Sequence, residues 1–124
     1  MLAEVNRNLR IAIIDDQKEL SFVYSQIIEQ LGYQSPSIFN NGTSIVNALA
    51  KDRQSFDIVI MDYQMPEMDG IEAAKIIQRY RKDTKVILAT SLHSVKQEAR
   101  AAGLPILMKP FSINQLAECL ELRN

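Results

Sequence analysis

Apolar residues along this chain keep two different rhythms. Four short runs are unbroken, Ile11-Ala12-Ile13-Ile14, Ile58-Val59-Ile60-Met61, Val86-Ile87-Leu88-Ala89 and Ile106-Leu107-Met108, and between them apolar positions recur every three or four residues. Unbroken runs rich in β-branched side chains predict strands buried on both faces, whereas the 3.6-residue rhythm predicts amphipathic helices.

The first strand is expected at about 9 to 14, after a short mobile lead over residues 1 to 8. A capping-box spacing, Asp16-Gln17-Lys18-Glu19, opens a first helix whose stripe reads Phe22, Val23, Ile27 and Leu31 and which Gly32 stops. The segment at about 34 to 39 is a weak strand, and Pro36, which has no N–H to donate, assigns it to a sheet edge. A second helix at about 43 to 51 turns Ile45, Val46, Leu49 and Ala50 inward. The third strand, about 57 to 62, is followed by a loop marked by Pro66 and Asp69-Gly70. Asp69-Gly70-Ile71-Glu72 then caps a third helix carrying Ile71, Ala74 and Ile77 and running to about Tyr80. A strand at about 85 to 89 leads to a short fourth helix starting at Ser94 and ending at Gly103, and a fifth strand covers about 105 to 108. Ser112-Ile113-Asn114-Gln115 caps the last helix, with Ile113, Leu116, Ala117 and Leu120 as its core face. Strands alternating with helices and joined by right-handed crossovers predict an α/β fold, a three-layer doubly wound parallel sheet with five strands and five helices.

With 124 residues the chain makes one domain with its own core. Fourteen basic against fifteen acidic residues leave a formal net charge of -1, so charge gives no sign of nucleic acid or a membrane surface as partner. A single cysteine, Cys119, excludes an intrachain disulfide framework, and no apolar run is long enough to span a bilayer. Both point to the cytoplasm, with Cys119 in a packing role. His93 is the only histidine, which removes His-based metal clusters and a Ser-His-Asp relay. Scattered glycines leave no phosphate-cradling loop, so the chain does not make its own phosphoryl donor from ATP.

Chemistry concentrates where the apolar runs end. They run out into Asp15-Asp16, Asp62, Thr90-Ser91 and Lys109-Pro110. In an open parallel α/β sheet ligands bind beyond the carboxyl ends of the strands, so two acids, a third acid, a hydroxyl and an amine would converge there. If the first and third strands are neighbours, the three carboxylates repel, by about 4 kcal/mol for a pair near 4 Å at an effective dielectric of about 20. Such a cluster either holds protons or binds a cation. Its hard oxygens suit Mg²⁺, or Mn²⁺, over zinc, and Mg²⁺ commonly completes its shell with waters and a phosphate oxygen. A carboxylate can attack a phosphoryl group to give an aspartyl-phosphate, with Lys109 neutralising charge and Thr90 donating to a phosphoryl oxygen.

Asp15-Asp16, the segment Val-Ile-Met-Asp62-Tyr-Gln-Met-Pro-Glu-Met-Asp-Gly, Thr90 and Lys109-Pro110-Phe111 together resemble the signature of response-regulator receiver domains of two-component signalling. The resemblance covers about 9 to 122, with the domain expected over 9–124, and implies a flavodoxin-like strand order 2-1-3-4-5. It further implies Asp62 as phosphoacceptor, Mg²⁺ held by Asp15, Asp16, Asp62 and the backbone carbonyl of Gln64, contacts from Thr90 and Lys109 to the phosphoryl group, and a cis Lys109-Pro110 peptide. The donor would be a phosphohistidine on a sensor histidine kinase or histidine phosphotransfer protein, the readout a downstream protein target, and the protein a monomer or a phosphorylation-linked dimer. Such domains catalyse their own phosphorylation and dephosphorylation without being conventional enzymes. Whether a single-domain regulator or the receiver part of a larger protein, the chain is expected to work as a switch.

Three features depart from the family pattern. Ile106 stands where an aromatic residue is usual, and the segment from Thr90 to Lys109 is short, so the fourth helix or its leading loop is expected to be trimmed. Leu92 and Gln64, two residues after Thr90 and Asp62, occupy positions that tune hydrolysis in the family, and Leu92 is expected to shield the acyl-phosphate. An aspartate-nucleophile phosphohydrolase is disfavoured because no DxDxT pattern follows the first strand. A non-phosphorylated interaction module of the same fold is the remaining alternative.

Overall fold

The computed structural model describes residues 8–51 and 55–121. Residues 1 to 7 of the expected mobile lead, and the chain beyond 121, lie outside the described residues. Strands β1 (Ile11–Ile14), β2 (Ser37–Phe39), β3 (Ile58–Asp62), β4 (Lys85–Thr90) and β5 (Ile106–Met108) alternate with helices α1 (Lys18–Gln30), α2 (Gly42–Lys51), α3 (Gly70–Tyr80), α4 (Lys96–Ala101) and α5 (Ile113–Glu121). All strand pairs are parallel and the order is β2-β1-β3-β4-β5, which puts β2 with its flanking Pro36 at an edge as the missing donor requires.

The unbroken apolar runs are explained by side chains leaving alternate faces of a sheet covered on both sides. Ile11, Ile13, Ile58, Ile60, Ile87, Ala89 and Leu107 pack with Ile28 of α1 and with Leu116 and Leu120 of α5. Ala12, Ile14, Val59, Met61, Val86 and Leu88 pack with Ile45 and Leu49 of α2, with Ile71, Ala74 and Ile77 of α3, and with Ala99 of α4. Every residue of β1 and β3 is buried.

Helix faces were harder to read than strands. On α1 the buried positions are Ser21, Ser25 and Ile28, while Phe22 is 60% and Val23 47% exposed. Ile27 and Leu31 of the expected stripe are half-buried against the same cluster as Ile28, so hydropathy places one flank of the buried face and misplaces Phe22 and Val23. Two serines on that face take little space, so the helix axis can lie close to the sheet, and hydropathy gives no credit for smallness. On α2 the inner residues are Ile45, Ala48 and Leu49, with Ala50 outside and Val46 half-buried. On α5 Leu116 and Leu120 are buried, but Ile113, in the first turn, is 51% exposed.

Caps follow the same division. Asp69 accepts from the Glu72 N–H at 2.9 Å, and at α5 Ser112 and Gln115 exchange bonds, Gln115 N–H to Ser112 Oγ at 3.1 Å and Ser112 N–H to Gln115 Oε1 at 2.8 Å. The box expected from Asp16 to Glu19 does not form. The N-cap of α1 is Gln17, without a side-chain cap bond, and the Gln17 N–H is taken by Asp15 Oδ1 at 2.9 Å. The trimmed segment after Thr90 is a single 3-10 turn, His93–Val95, followed by an α4 of only six residues. Cys119 is half-buried against the α1/α5-side cluster, the packing role expected of it.

Candidate functional site

Strand register carries the candidate residues to one end of the sheet. Ile14 lies opposite Met61, so Asp15 follows level with Asp62, and Asp62 itself lies opposite Ala89, one residue before Thr90. Thr90 pairs with Met108, and the Lys109 N–H continues the ladder to the Thr90 carbonyl at 2.8 Å. Lys109 therefore starts beyond the acids, and its long side chain spans the gap, placing Nζ 2.9 Å from Asp62 Oδ1 and 3.3 Å from Asp15 Oδ2. The Lys109-Pro110 peptide is cis.

Asp15, Asp16 and Asp62 each present one carboxylate oxygen, all within 4.8 Å of one another. Asp15 and Asp62 are buried and Asp16 is exposed. Three hard oxygen donors so close, with one of the acids open to solvent, fit a single Mg²⁺-type cation better than a softer metal. Gln64 lines the same cleft, which measures about 460 Å³ and is bounded also by Gln17, Leu20, Tyr24, Thr90, Ser91, Lys109 and Pro110.

Electrostatics follow from this crowding. Burial raises the Asp62 carboxyl above its ordinary value; the Lys109 hydrogen bond and charge pull it back, and Asp15 and Asp16 push it up again. Burial alone would draw the Lys109 ammonium down, but its hydrogen bond to Asp62 and the charges of Asp62 and Asp15 prevail, and the net shift is upward. The lysine is thus a fixed cation whose strongest partner is Asp62. Thr90 is 2% exposed and its Oγ1 accepts from the Leu92 N–H at 3.0 Å, which occupies a lone pair and leaves the hydroxyl proton free to donate.

A glycine lets α3 pack tightly against the acidic end of the sheet. A Cβ on Gly70 would strike the Asp62 carbonyl oxygen and come within 2.9 Å of both Tyr63 Cα and Leu88 Cδ1, and the Gly70 N–H donates to the Tyr63 carbonyl at 2.8 Å. Only glycine lets α3 begin directly against the backbone that presents Asp62.

Comparison with known proteins decides what this arrangement is. The family model for the response regulator receiver domain matches residues 11–121. The chain belongs to that family. It is 30% identical over 114 residues to the chemotaxis protein CheY of Thermotoga maritima, covering 90% of this chain and 93% of that protein. It is 32% identical over 110 residues to the regulatory protein AtoC of Escherichia coli, where it covers 86% of this chain but spans only 23% of the relative's length. Among solved structures, the receiver domain of Francisella response regulator 1452 superimposes with a TM-score of 0.80 at 26% identity, covering 91% of this chain and 93% of that one. As a receiver domain the chain is homologous to phosphorylatable response regulators of two-component systems, and its aspartate cluster is consistent with a phosphorylation site, so the non-phosphorylated module is not favoured. No helix among the described residues is long and apolar enough to cross a membrane.

Two side chains of the receiver's cleft escaped the sequence reading. Leu20 and Tyr24 sit one turn apart on α1 and form its apolar wall, whereas Leu92 is half-buried against the α3/α4-side cluster. The available signal was their i, i+4 spacing behind Asp16, which puts both on one helix face. Ile106 is half-buried against the same cluster as Leu92.

Proposed function

We propose that this receiver accepts a phosphoryl group on Asp62 from a phosphohistidine of a sensor histidine kinase or histidine phosphotransfer protein, in the cytoplasm, and that the modified chain is read by a downstream protein. An Asp62 carboxylate oxygen forms the new P–O bond as the P–N bond to the donor imidazole breaks, and the imidazole nitrogen leaves with the electron pair and takes up a proton. Lys109 faces the phosphoryl oxygens as a fixed cation, its ammonium already held beside the attacking carboxylate. The Thr90 hydroxyl donates its free proton to a phosphoryl oxygen.

Asp15, Asp16, Asp62 and the Gln64 carbonyl would hold Mg²⁺, with Mn²⁺ as a substitute. When bound, the cation offsets the mutual repulsion of the acids and the charge of the incoming phosphoryl group. Phosphorylation adds about -1.5 to -2 charges at one point, enough to recruit Thr90 and Lys109 into new charge-assisted hydrogen bonds.

The observation that carries this reading is the Lys109–Asp62 contact at 2.9 Å inside a cluster of three acids. Incubation with acetyl phosphate and Mg²⁺, followed by intact-mass measurement and mapping, is expected to give a single phosphoryl adduct on Asp62. Asp62→Asn is expected to give none, and omission of the divalent cation to slow labelling at least tenfold. A stable adduct elsewhere, or equal labelling of Asp62→Asn, would refute the assignment.

A further inference from the structure

The Tyr24 ring on α1 lies 4.8 Å, centroid to centroid, from the Phe111 ring, with the two planes tilted by 31°. That is within the range of a favourable offset aromatic pair. Phe111 comes two residues after Lys109, in the segment that leads from β5 into α5. The pair therefore ties the helix that follows the two acids to the segment that carries the amine. Tyr24 also lines the acidic cleft, and its phenol lies in the fields of Lys109, Asp15 and Asp62. Burial, set against Lys109 and reinforced by the two carboxylates, raises the phenol above its ordinary value, so it is a neutral group at physiological pH.

Lys109 needs such an anchor. Its backbone lies beyond the level of Asp62 and is fixed on one side by its N–H to the Thr90 carbonyl at 2.8 Å. On the other side are Pro110, exposed and without an N–H, and then Phe111, half-buried against the α1/α5-side cluster. The ring of Phe111 is thus the first side chain after Lys109 packed into that cluster, and Tyr24 is what it stacks on.

We propose that Tyr24 is a positioning residue for phosphoryl transfer, clasping Phe111 so that the Lys109 ammonium is held at Asp62. This rests on Asp62 being the phosphoacceptor, but the clasp itself can be read without phosphorylation. The ring is what acts, so Tyr24→Phe keeps most of the function and Tyr24→Leu loses it.

The test uses Tyr24→Leu, Phe111→Leu, Tyr24→Phe and Lys109→Ala, singly and with Tyr24→Leu combined with Lys109→Ala, each first shown to melt cooperatively. In Tyr24→Leu and Phe111→Leu, labelling by acetyl phosphate is expected to slow about tenfold, the scale of a small misplacement of a positioned group, while Tyr24→Phe stays within about twofold of wild type. In the Lys109→Ala background Tyr24→Leu is expected to slow labelling no further, because an effect that runs through the amine disappears with it. Independently of phosphorylation, amide hydrogen exchange at Lys109 is expected to accelerate in both leucine variants relative to Val59 in the core. The clasp is overturned if Tyr24→Leu labels like wild type, if it slows labelling equally with and without Lys109, if Tyr24→Phe falls as far as Tyr24→Leu, or if exchange at Lys109 is unchanged relative to Val59. Should the wild-type protein take no phosphoryl group on Asp62, the phosphoacceptor assignment fails, and exchange at Lys109 alone decides the clasp.

Discussion

The first turns of α1 and α3 begin from nearly the same sequence device and end up different. Each helix follows a strand tip through an acidic residue with a glutamate three positions on, Asp16 to Glu19 and Asp69 to Glu72. At α3 the device works, with Asp69 accepting from the Glu72 N–H. At α1 it does not, because both carboxylates before the helix belong to a cluster with Asp62, and the cap position falls to Gln17 without a side-chain bond. Asp15 serves the helix only through the Gln17 N–H, with its other oxygen on Lys109. Where a local stabilising rule fails in an otherwise consistent sequence, a functional demand has overridden it.

Gly70 gives the sharpest way to break the comparison. α3 can be well capped and also abut the strand that ends in Asp62 only because no Cβ stands between Gly70 and the Asp62 carbonyl. Gly70→Ala is expected to destabilise the domain by about 1–3 kcal/mol through overpacking, despite the better helix propensity of alanine. Chemical denaturation measures this directly. An unchanged midpoint would show that the close approach is not needed.

A pair of truncations then separates the two helix starts. Asp69→Ala removes a working cap and is expected to lower stability by about 1 kcal/mol. Asp16→Ala, at the matching position of α1, removes no cap and relieves like-charge repulsion, so in buffer containing a chelator it is expected to lose nothing. Its effect should show instead as weaker Mg²⁺ binding, read by titration calorimetry. Equal losses of stability would mean that Asp16 caps α1 after all.

The same competition decides what the sequence made legible. The strands, with Asp15, Asp62 and Lys109 at their ends, are legible in short β-branched runs such as Ile58-Val59-Ile60-Met61, whereas the order β2-β1-β3-β4-β5 that brings those three side chains together is what the resemblance to receiver domains implies and no local run encodes. Helix faces are set by how closely an axis can approach the sheet, and Ser21 and Ser25 on the buried side of α1 carry no hydropathy signal. Apolar periodicity turns Phe22, Val23 and Ile113 inward because it counts hydrophobic mass and not fit. Tyr24 is hidden from local sequence for the opposite reason: its partner Phe111 is far away in the chain, and no local pattern announces a contact between α1 and the start of α5.

The smallest expected effect concerns protons at the acids themselves. Burial, countered by Lys109 and reinforced by Asp15 and Asp16, gives Asp62 a folded-state pKa above its ordinary value of 3.8. The folded chain therefore holds this proton more tightly than the unfolded chain does. The resulting stabilisation is fully present below the unfolded pKa and is lost as pH rises through the folded pKa. Asp62→Asn has no such proton to lose. Without divalent cations its stability relative to wild type is thus expected to rise from about pH 4 upward and then level off. The gain should be a few tenths of a kcal/mol, because the site is partly screened by solvent and the lost attraction to Lys109 offsets much of the relief. Urea denaturation of both proteins across pH 4 to 8 with a chelator present measures the difference, and saturating Mg²⁺ should shrink or reverse it, since a cation bound to the folded wild type adds stability that Asp62→Asn largely forfeits. A pH-independent difference, or one that falls as pH rises, would mean that Asp62 is not the strained member of the cluster, and the contrast between a helix start shaped by stability and one shaped by function would lose its electrostatic basis.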